Sequence, residues 1–240
     1  MRNRLRRVLA VAEARGAVSA LERVLGEVEV DAVALVGNLV QPWSKPETYR
    51  ALLKALGEAG TPAFWVPGRD DAPLREYLSE SYNMEIVFPS LRGVHGTAAL
   101  APGGVVFAGM GGEILDDPDT IRSEEHLVRY PGWEAEYQLK VVGEIDAPER
   151  VFLFWTPPAH KGLGTPGSAV LAELIKTYDP IAVVVGGEEP AQTVLGTSLV
   201  VAPGRLDRGR YAVIDLAERR AEQGQVEVPE EEEVEVGEGS

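Results

Sequence analysis

The chain has 240 residues, of which 45% are hydrophobic and 25% charged, and it contains three histidines and no cysteine. Such a composition is typical of a globular protein, and the lack of cysteine excludes disulfides, thiolate metal sites and cysteine nucleophiles. The sequence has no run of about 20 apolar residues, so we expect no membrane-spanning helix. The arginine-rich start continues into a strand-like segment and not into a signal-peptide core, which predicts a cytoplasmic location.

The net charge of −15 is unevenly distributed. Of the 38 acidic residues, seven glutamates lie in residues 227–240, which leaves 31 acids against 23 bases and a charge of −8 for the rest. We therefore predict a domain over residues 1–221 and an acidic, disordered tail over residues 222–240. No basic stripe follows the N-terminal arginines, which argues against nucleic-acid binding.

The first part of the chain alternates short apolar runs with segments of helical periodicity. The predicted strands are 8–12, 31–36, 62–66 and 85–88. The predicted helices are 17–26, 46–60 and 73–81.

The second part of the chain has a mixed pattern. Pro102-Gly103-Gly104 separates two apolar runs and predicts a hairpin of 97–101 with 105–109, and the polar stretch 111–129 is predicted to be a loop. The remaining predicted helices are 133–145 and 168–178, and the remaining predicted strands are 151–155, 181–185, 193–201 and 210–216. No linker divides the pattern, so a single α/β domain is expected.

Ligands of open α/β sheets bind beyond the carboxyl ends of the strands. The segments that follow the predicted strands are 13–16, 37–39, 67–71, 155–160, 186–189 and 202–205. Glycine recurs in them, which permits sharp turns at the sheet edge.

The order and spacing of these turns resemble the calcineurin-like metallophosphoesterase superfamily, and in particular small phosphoesterase-like proteins of thermophilic bacteria. The resemblance covers residues 8–216 and implies a four-layer α-β-β-α sandwich of two mixed sheets, with the site at the strand ends. The residues that match the family pattern are Gly16, Gly37, Gly68, Asp71, Pro157-Pro158, Gly186 and Pro203-Gly204.

The same resemblance implies two metal ions held by Asp and His side chains, but the chain departs from this set. The corresponding positions hold Glu13, Arg15, Asn38, Arg69, Asp70, Trp155, Gly187 and Glu189. Neutral Asn38 lacks the negative charge of a bridging ligand, Arg15 places a positive charge where a metal would lie, and Trp155 cannot ligate.

Three hypotheses remain for this region. In the first, the protein is a non-catalytic member that binds a ligand or partner. In the second, the cleft is structural and is filled by carboxylates paired with Arg15 and Arg69. In the third, a divergent metal-dependent phosphoesterase hydrolyses phosphoric esters with Mg²⁺, Mn²⁺ or Ca²⁺ on oxygen ligands. Those candidate ligands are Glu13, Asn38, Asp70, Asp71, Glu188 and Glu189. The number of altered positions favours the first two hypotheses, and no other cofactor is expected.

Several of these residues have simpler interpretations. Asp70 and Asp71 precede Pro73 and could cap a helix, and Glu188 and Glu189 fit an exposed turn. Glu13 fits a carboxylate that is solvated or paired with Arg15.

The three histidines also have interpretations of their own. His160 follows the Pro-Pro turn and, with Arg69, is a candidate to contact an anion or act in catalysis. His95 fits a surface or packing residue. His126, with Glu124 and Glu125, lies in a segment that is either a surface loop or a lid over the cleft. The partners expected are a small phosphate-containing ligand and further copies of the chain, with no membrane.

Overall fold

The computed structural model describes residues 5–120, 126–164 and 167–228. Its strands are β1 Arg7–Ala12, β2 Ala32–Val36, β3 Ala63–Val66, β4 Leu91–Gly93, β5 Thr97–Leu100, β6 Val105–Met110, β7 Glu113–Leu115, β8 Arg129–Pro131, β9 Glu149–Phe154, β10 Ala182–Val185, β11 Ala191–Leu195, β12 Ser198–Ala202, β13 Arg210–Asp215 and β14 Arg220–Gln225. Its α-helices are α1 Val18–Glu27, α2 Pro46–Glu58, α3 Leu74–Val87, α4 Gly132–Glu144 and α5 Ala169–Tyr178.

Two six-stranded mixed sheets dominate the described chain. The first has the order β14-β13-β1-β2-β3-β4, with β1 to β4 parallel and β13 antiparallel to β1. The second has the order β11-β12-β10-β9-β6-β5, with β6, β9, β10 and β12 parallel. Because both sheets have parallel strands at their centre, the carboxyl ends of those strands meet at one side of the molecule.

The core has three layers of apolar side chains. Between the sheets, Phe64 of β3 stacks on Phe107 of β6 with ring centroids 4.0 Å apart. Outside the first sheet, α1 to α3 bury residues such as Leu21 and Leu53, and outside the second sheet α4 and α5 bury residues such as Leu139. The predicted four-layer sandwich is therefore confirmed.

Two predicted strands are wrong. Residues 85–88 do not form a strand, because α3 continues to Val87 with Tyr77 and Met84 buried on one face, and the strand follows at Leu91–Gly93. Residues 193–201 do not form one strand but the hairpin β11–β12, which turns at Gly196 with φ +66°. Only glycine adopts that backbone conformation at little cost.

Within the predicted loop 111–129, the described residues include strand β7 and the start of strand β8, which pair in parallel. The domain also extends past the predicted boundary at residue 221, because β14 pairs antiparallel with β13 and contains residues 222–225. An edge strand with Ala221 as its buried residue has little hydrophobic pattern to reveal it. Residues 229–240, which hold most of the acidic run, lie outside the described chain. Among the described helices, none is both long and apolar enough to cross a membrane.

Candidate functional site

A cleft of about 870 Å³ lies at the carboxyl ends of the parallel strands. Strands β1, β2, β3 and β9 of the two sheets supply its floor. The floor residues are Glu13, Arg15, Asn38, Arg69, Asp70 and Trp155. The cleft therefore lies where the sequence predicts a ligand site, beyond the carboxyl ends of the strands. Parallel strands bring the residues that follow them to a common edge.

Glu13 is the buried carboxylate at the centre of the floor, with 3% of its surface exposed. Its Oε1 accepts hydrogen bonds from Trp155 Nε1 at 2.8 Å and from the Asn38 backbone N–H at 3.2 Å. Its Oε2 accepts from Asn38 Nδ2 and from Arg15 Nε, both at 3.0 Å. Burial raises the pKa of Glu13, and the Arg15 guanidinium opposes that rise. Both oxygens already have two donors, so the carboxylate is saturated.

Asn38 joins the floor carboxylates by its side-chain amide. Its Nδ2 donates to Glu13 and, at 3.2 Å, to Asp70 Oδ2, while its Oδ1 accepts from the Asp70 backbone N–H at 2.8 Å. The hydrogen-bond network thus assigns the NH₂ group to the side of the two carboxylates. Where the family resemblance implies a bridging carboxylate, this chain presents N–H donors.

Two arginines neutralise the floor. Arg15 forms ion pairs with Glu13 at 2.9 Å and with Glu188 at 3.0 Å, and Arg69 Nε pairs with Asp70 at 3.1 Å. The Arg69 guanidinium lies 5.6 Å from the centroid of the Trp155 ring, a cation–π distance. The Arg15 and Arg69 side chains are 25% and 38% exposed. Within the described chain, Nη1 of Arg15 and both Nη atoms of Arg69 have no hydrogen-bond partner.

Asp71 is fully buried and does not line the cleft. Its carboxylate accepts backbone hydrogen bonds from Gly68 at 2.6 Å, Leu39 at 2.9 Å and Val40 at 3.1 Å, which ties the end of β3 to the end of β2. Burial raises the pKa of Asp71 to about 7, against the effect of the three N–H donors. The predicted helix cap is wrong. The N-cap residue of α3 is Pro73, and no side chain accepts a capping hydrogen bond from the first turn of the helix.

Two glycines bring the strand ends close enough for these contacts. A Cβ atom on Gly37 would lie 1.9 Å from the backbone nitrogen of Gly68, and one on Gly68 would lie 2.1 Å from Asn38 Oδ1. Neither contact is possible for a larger residue, so the glycine spacing that the sequence shows has a steric cause.

Glu188 and Glu189 lie in an exposed segment after β10, as predicted. Glu188 bridges Arg15 at 3.0 Å and Arg205 at 2.9 Å, and Glu189 pairs with Arg210. Both line the wall of the cleft, and both are held by guanidinium groups.

The histidines lie away from the floor. His160 is exposed and is not among the residues that line the cleft. His95 is a packing residue whose Nδ1 accepts from the Gly111 N–H at 3.0 Å, so that Nε2 donates to the Tyr130 hydroxyl at 3.0 Å. Burial lowers the pKa of His95 to about 4, which keeps the ring neutral.

The predicted lid segment does not line the cleft in its described part. His126 stacks on Trp43 with ring centroids 5.8 Å apart, beside a smaller pocket that shares Asp70 with the cleft. Glu124 and Glu125 lie outside the described residues. The cleft wall is instead formed in part by residues 113–117, which the sequence showed only as a polar loop. Asp116 in that wall accepts from the Ser168 hydroxyl at 2.6 Å and from the Ala169 N–H at 2.7 Å.

The floor does not fit a pair of divalent metal ions. A dication needs carboxylate or imidazole lone pairs that are free to bind it. Here Glu13 is saturated, Asn38 presents its NH₂ group and Asp70 is paired with Arg69. In residues 5–120, 126–164 and 167–228, no group of three or more His, Asp and Glu side chains is placed to hold a metal ion.

Comparison with known proteins supports the family resemblance. A solved structure of TT1561 of Thermus thermophilus is 42% identical, covers 93% of this chain and 100% of its own, and superimposes with a TM-score of 0.86. A second solved structure is 28% identical over the same shares of the two chains, with a TM-score of 0.82. No curated protein matches. The family model for metallophosphoesterases of the calcineurin superfamily matches residues 1–226, and the chain therefore belongs to that superfamily.

Proposed function

We propose that this protein is a non-catalytic member of its superfamily that binds a small phosphate-containing ligand in the cleft. The observation that carries the proposal is the pairing of the floor carboxylates with arginines. Glu13 and Asp70 are held by Arg15 and Arg69, so fixed side-chain charges stand where the superfamily pattern has metal ligands. A bound metal ion can dissociate into solvent, but an arginine side chain cannot, so the positive charge at the floor is a permanent part of the fold.

The cleft remains open above this floor. Its volume of about 870 Å³ is within the range of small-molecule sites, about 300–1,000 Å³. Within the described chain Nη1 of Arg15 and both Nη atoms of Arg69 remain available to a ligand. Guanidinium groups often bind phosphate, since they can present two parallel N–H groups to two oxygens. The Trp155 ring at the floor offers an aromatic surface to the rest of the ligand.

Ligand binding can be tested by thermal unfolding of the full chain. Inorganic phosphate and a nucleoside monophosphate should each raise the melting temperature, because a ligand that binds only the folded state stabilises it. Arg69→Ala should abolish this shift. Arg75→Ala, which removes an exposed arginine of α3 outside the cleft, is the matched control and should retain it.

Catalysis is tested in the same preparations with a generic phosphodiester and added Mn²⁺ or Mg²⁺. We expect no turnover and no stoichiometric metal by mass spectrometry. Turnover with Mn²⁺ that Asp70→Asn abolishes and Arg75→Ala leaves intact would show a divergent hydrolase and overturn the non-catalytic proposal. If the protein shows neither turnover nor a phosphate-dependent shift in melting temperature, the proposal of a phosphate-containing ligand is wrong and the cleft is purely structural.

A further inference from the structure

Helix α4 carries an apolar stripe that faces away from the protein. Its buried face consists of Gly132, Ala135, Leu139 and Val142. On the opposite face Trp133, Tyr137 and Val141 are 60%, 65% and 41% exposed. Their spacing of four residues places them in one row along the helix. The row is therefore a continuous exposed surface and not a set of scattered side chains.

The neighbouring strand β5 also exposes an apolar side chain. Leu100 is 67% exposed on β5, the edge strand of the second sheet, which packs along α4. With about 200 Å² for an aromatic side chain, Trp133 and Tyr137 alone leave roughly 250 Å² in water. The largest apolar patch on a soluble monomer is typically about 300–600 Å² and is often functional.

Charges beside the row identify the partner. Glu136 and Lys140 are both exposed and lie on one side of it, and neither forms an ion pair within the described chain. Lys140 Nζ lies 5.7 Å from the centroid of the Tyr137 ring. If a second α4 runs antiparallel about a two-fold axis at Tyr137, Trp133 meets Val141 of the other copy. In this register Glu136 lies about two residues, roughly 3 Å along the helix axis, from the Lys140 of the other copy. Both side chains are long enough to close that offset, so the surface is complementary to itself.

We propose that a second copy of this chain docks on this surface and forms a two-fold symmetric dimer through α4. An interface with the same patch on both subunits is the commonest symmetry of soluble oligomers. A standard interface buries about 800 Å² per subunit with an aromatic centre and a charged rim. The α4 surface has both parts, with Trp133 and Tyr137 at its centre and Glu136 and Lys140 at its rim.

Helix α3 provides an internal comparison. Its residues Leu78, Tyr82 and Ile86 are also spaced by four and are 48%, 67% and 64% exposed. The helix has no pair of opposite charges at that spacing, so an antiparallel copy would gain no reciprocal ion pairs. The two tyrosines, Tyr82 and Tyr137, are almost equally exposed and therefore form a matched pair for substitution.

The oligomeric state is measured on the full chain by sedimentation equilibrium. We expect the wild-type protein to be a dimer at micromolar concentration, Tyr137→Glu to be a monomer and Tyr82→Glu to remain a dimer, with circular dichroism confirming that each variant is folded. A monomeric wild-type protein would overturn the proposal. Dissociation by Tyr82→Glu in place of Tyr137→Glu would overturn it as well.

Two further variants test the proposed geometry. Glu136→Lys should weaken the dimer about tenfold by placing like charges opposite each other. The double variant Glu136→Lys with Lys140→Glu should restore it, since complementarity returns. The chain has no cysteine, so Tyr137→Cys introduces a single thiol at the two-fold axis and should form a covalent dimer on oxidation. Failure of both the restoration and the cross-link would contradict an antiparallel α4 pair.

Discussion

Two buried carboxylates, Glu13 after β1 and Asp71 after β3, are stabilised in different ways. Asp71 is surrounded by backbone N–H groups of Gly68, Leu39 and Val40, whereas Glu13 is held by the side chains of Arg15, Asn38 and Trp155. The Asp71 cluster fits the superfamily pattern and holds the two loops together. The Glu13 cluster departs from that pattern and forms the cleft floor. One buried carboxylate therefore belongs to the scaffold, and the other belongs to the cleft.

The largest expected effect on stability comes from substitution of Asp71. Asp71→Ala leaves three buried N–H groups without an acceptor, each costing about 1–3 kcal/mol. We expect the free energy of unfolding to fall by about 4 kcal/mol in urea denaturation. Asp71→Asn, which keeps one acceptor oxygen, should lose about half as much. A loss below about 1 kcal/mol for Asp71→Ala would contradict the role assigned to this cluster.

The next largest effect on stability is expected where the ends of β2 and β3 approach each other closely. Gly37→Ala would force a Cβ atom to within 1.9 Å of the Gly68 nitrogen, so we expect a loss of about 3 kcal/mol. Gly26→Ala is the matched control, because a Cβ atom there has nothing within 4 Å. In helix α1 that change should stabilise the protein by about 0.5–1 kcal/mol. Equal melting temperatures for the two variants would show that the steric argument is wrong.

The raised pKa of Asp71 predicts a dependence of stability on pH. Because the folded pKa of about 7 lies above the ordinary value of 3.8, the folded state binds this proton more tightly than the unfolded chain does. The stabilisation is therefore complete below about pH 4 and is lost as the pH rises to about 7. From pH 5 to pH 8 the wild type should lose on the order of 2 kcal/mol more than Asp71→Asn. Parallel pH profiles would exclude this contribution.

The smallest effect is expected on the cleft floor. Glu13→Gln keeps the shape of the side chain but turns one acceptor oxygen into an NH₂ group that faces other donors. Arg15 retains Glu188, so we expect a loss of only about 1–2 kcal/mol in unfolding free energy. The same variant should change phosphate affinity more than Asp71→Asn does, which isothermal titration can measure. A stability loss as large as that of Asp71→Ala would remove the distinction between the two clusters.

The sequence predicted most of the central elements, because buried parallel strands such as β1 and β2 are short apolar runs between helices of clear periodicity. It failed where that pattern is weak. Strand β14 has Ala221 as its buried residue, and β7 and β8 have three residues each. Strand β14 is held by its pairing with β13, and β7 and β8 are held by their pairing with each other, which no hydrophobic pattern in the sequence records.

Prediction of the site residues from sequence also succeeded in part and failed in part. The strand ends that carry Glu13, Asn38 and Asp70 were found from sequence, because the topology brings them to one edge. Their roles were not resolved, since a carboxylate that binds a metal and one that pairs with an arginine have the same letter in a sequence. Asp71 was a candidate ligand by neighbourhood, and its burial beneath the floor depends on the contact of two loops separated by about thirty residues.

By itself the sequence determined most of the central strands and helices, because hydrophobic periodicity is a local property, and its family resemblance implied the sandwich of two mixed sheets with a site at the strand ends. Only the tertiary structure decided which charges meet. It placed Arg15 between Glu13 and Glu188, Arg69 against Asp70, and the apolar row of α4 on the outer surface. Such pairings depend on distances between residues far apart in the chain, and packing of the two sheets sets those distances.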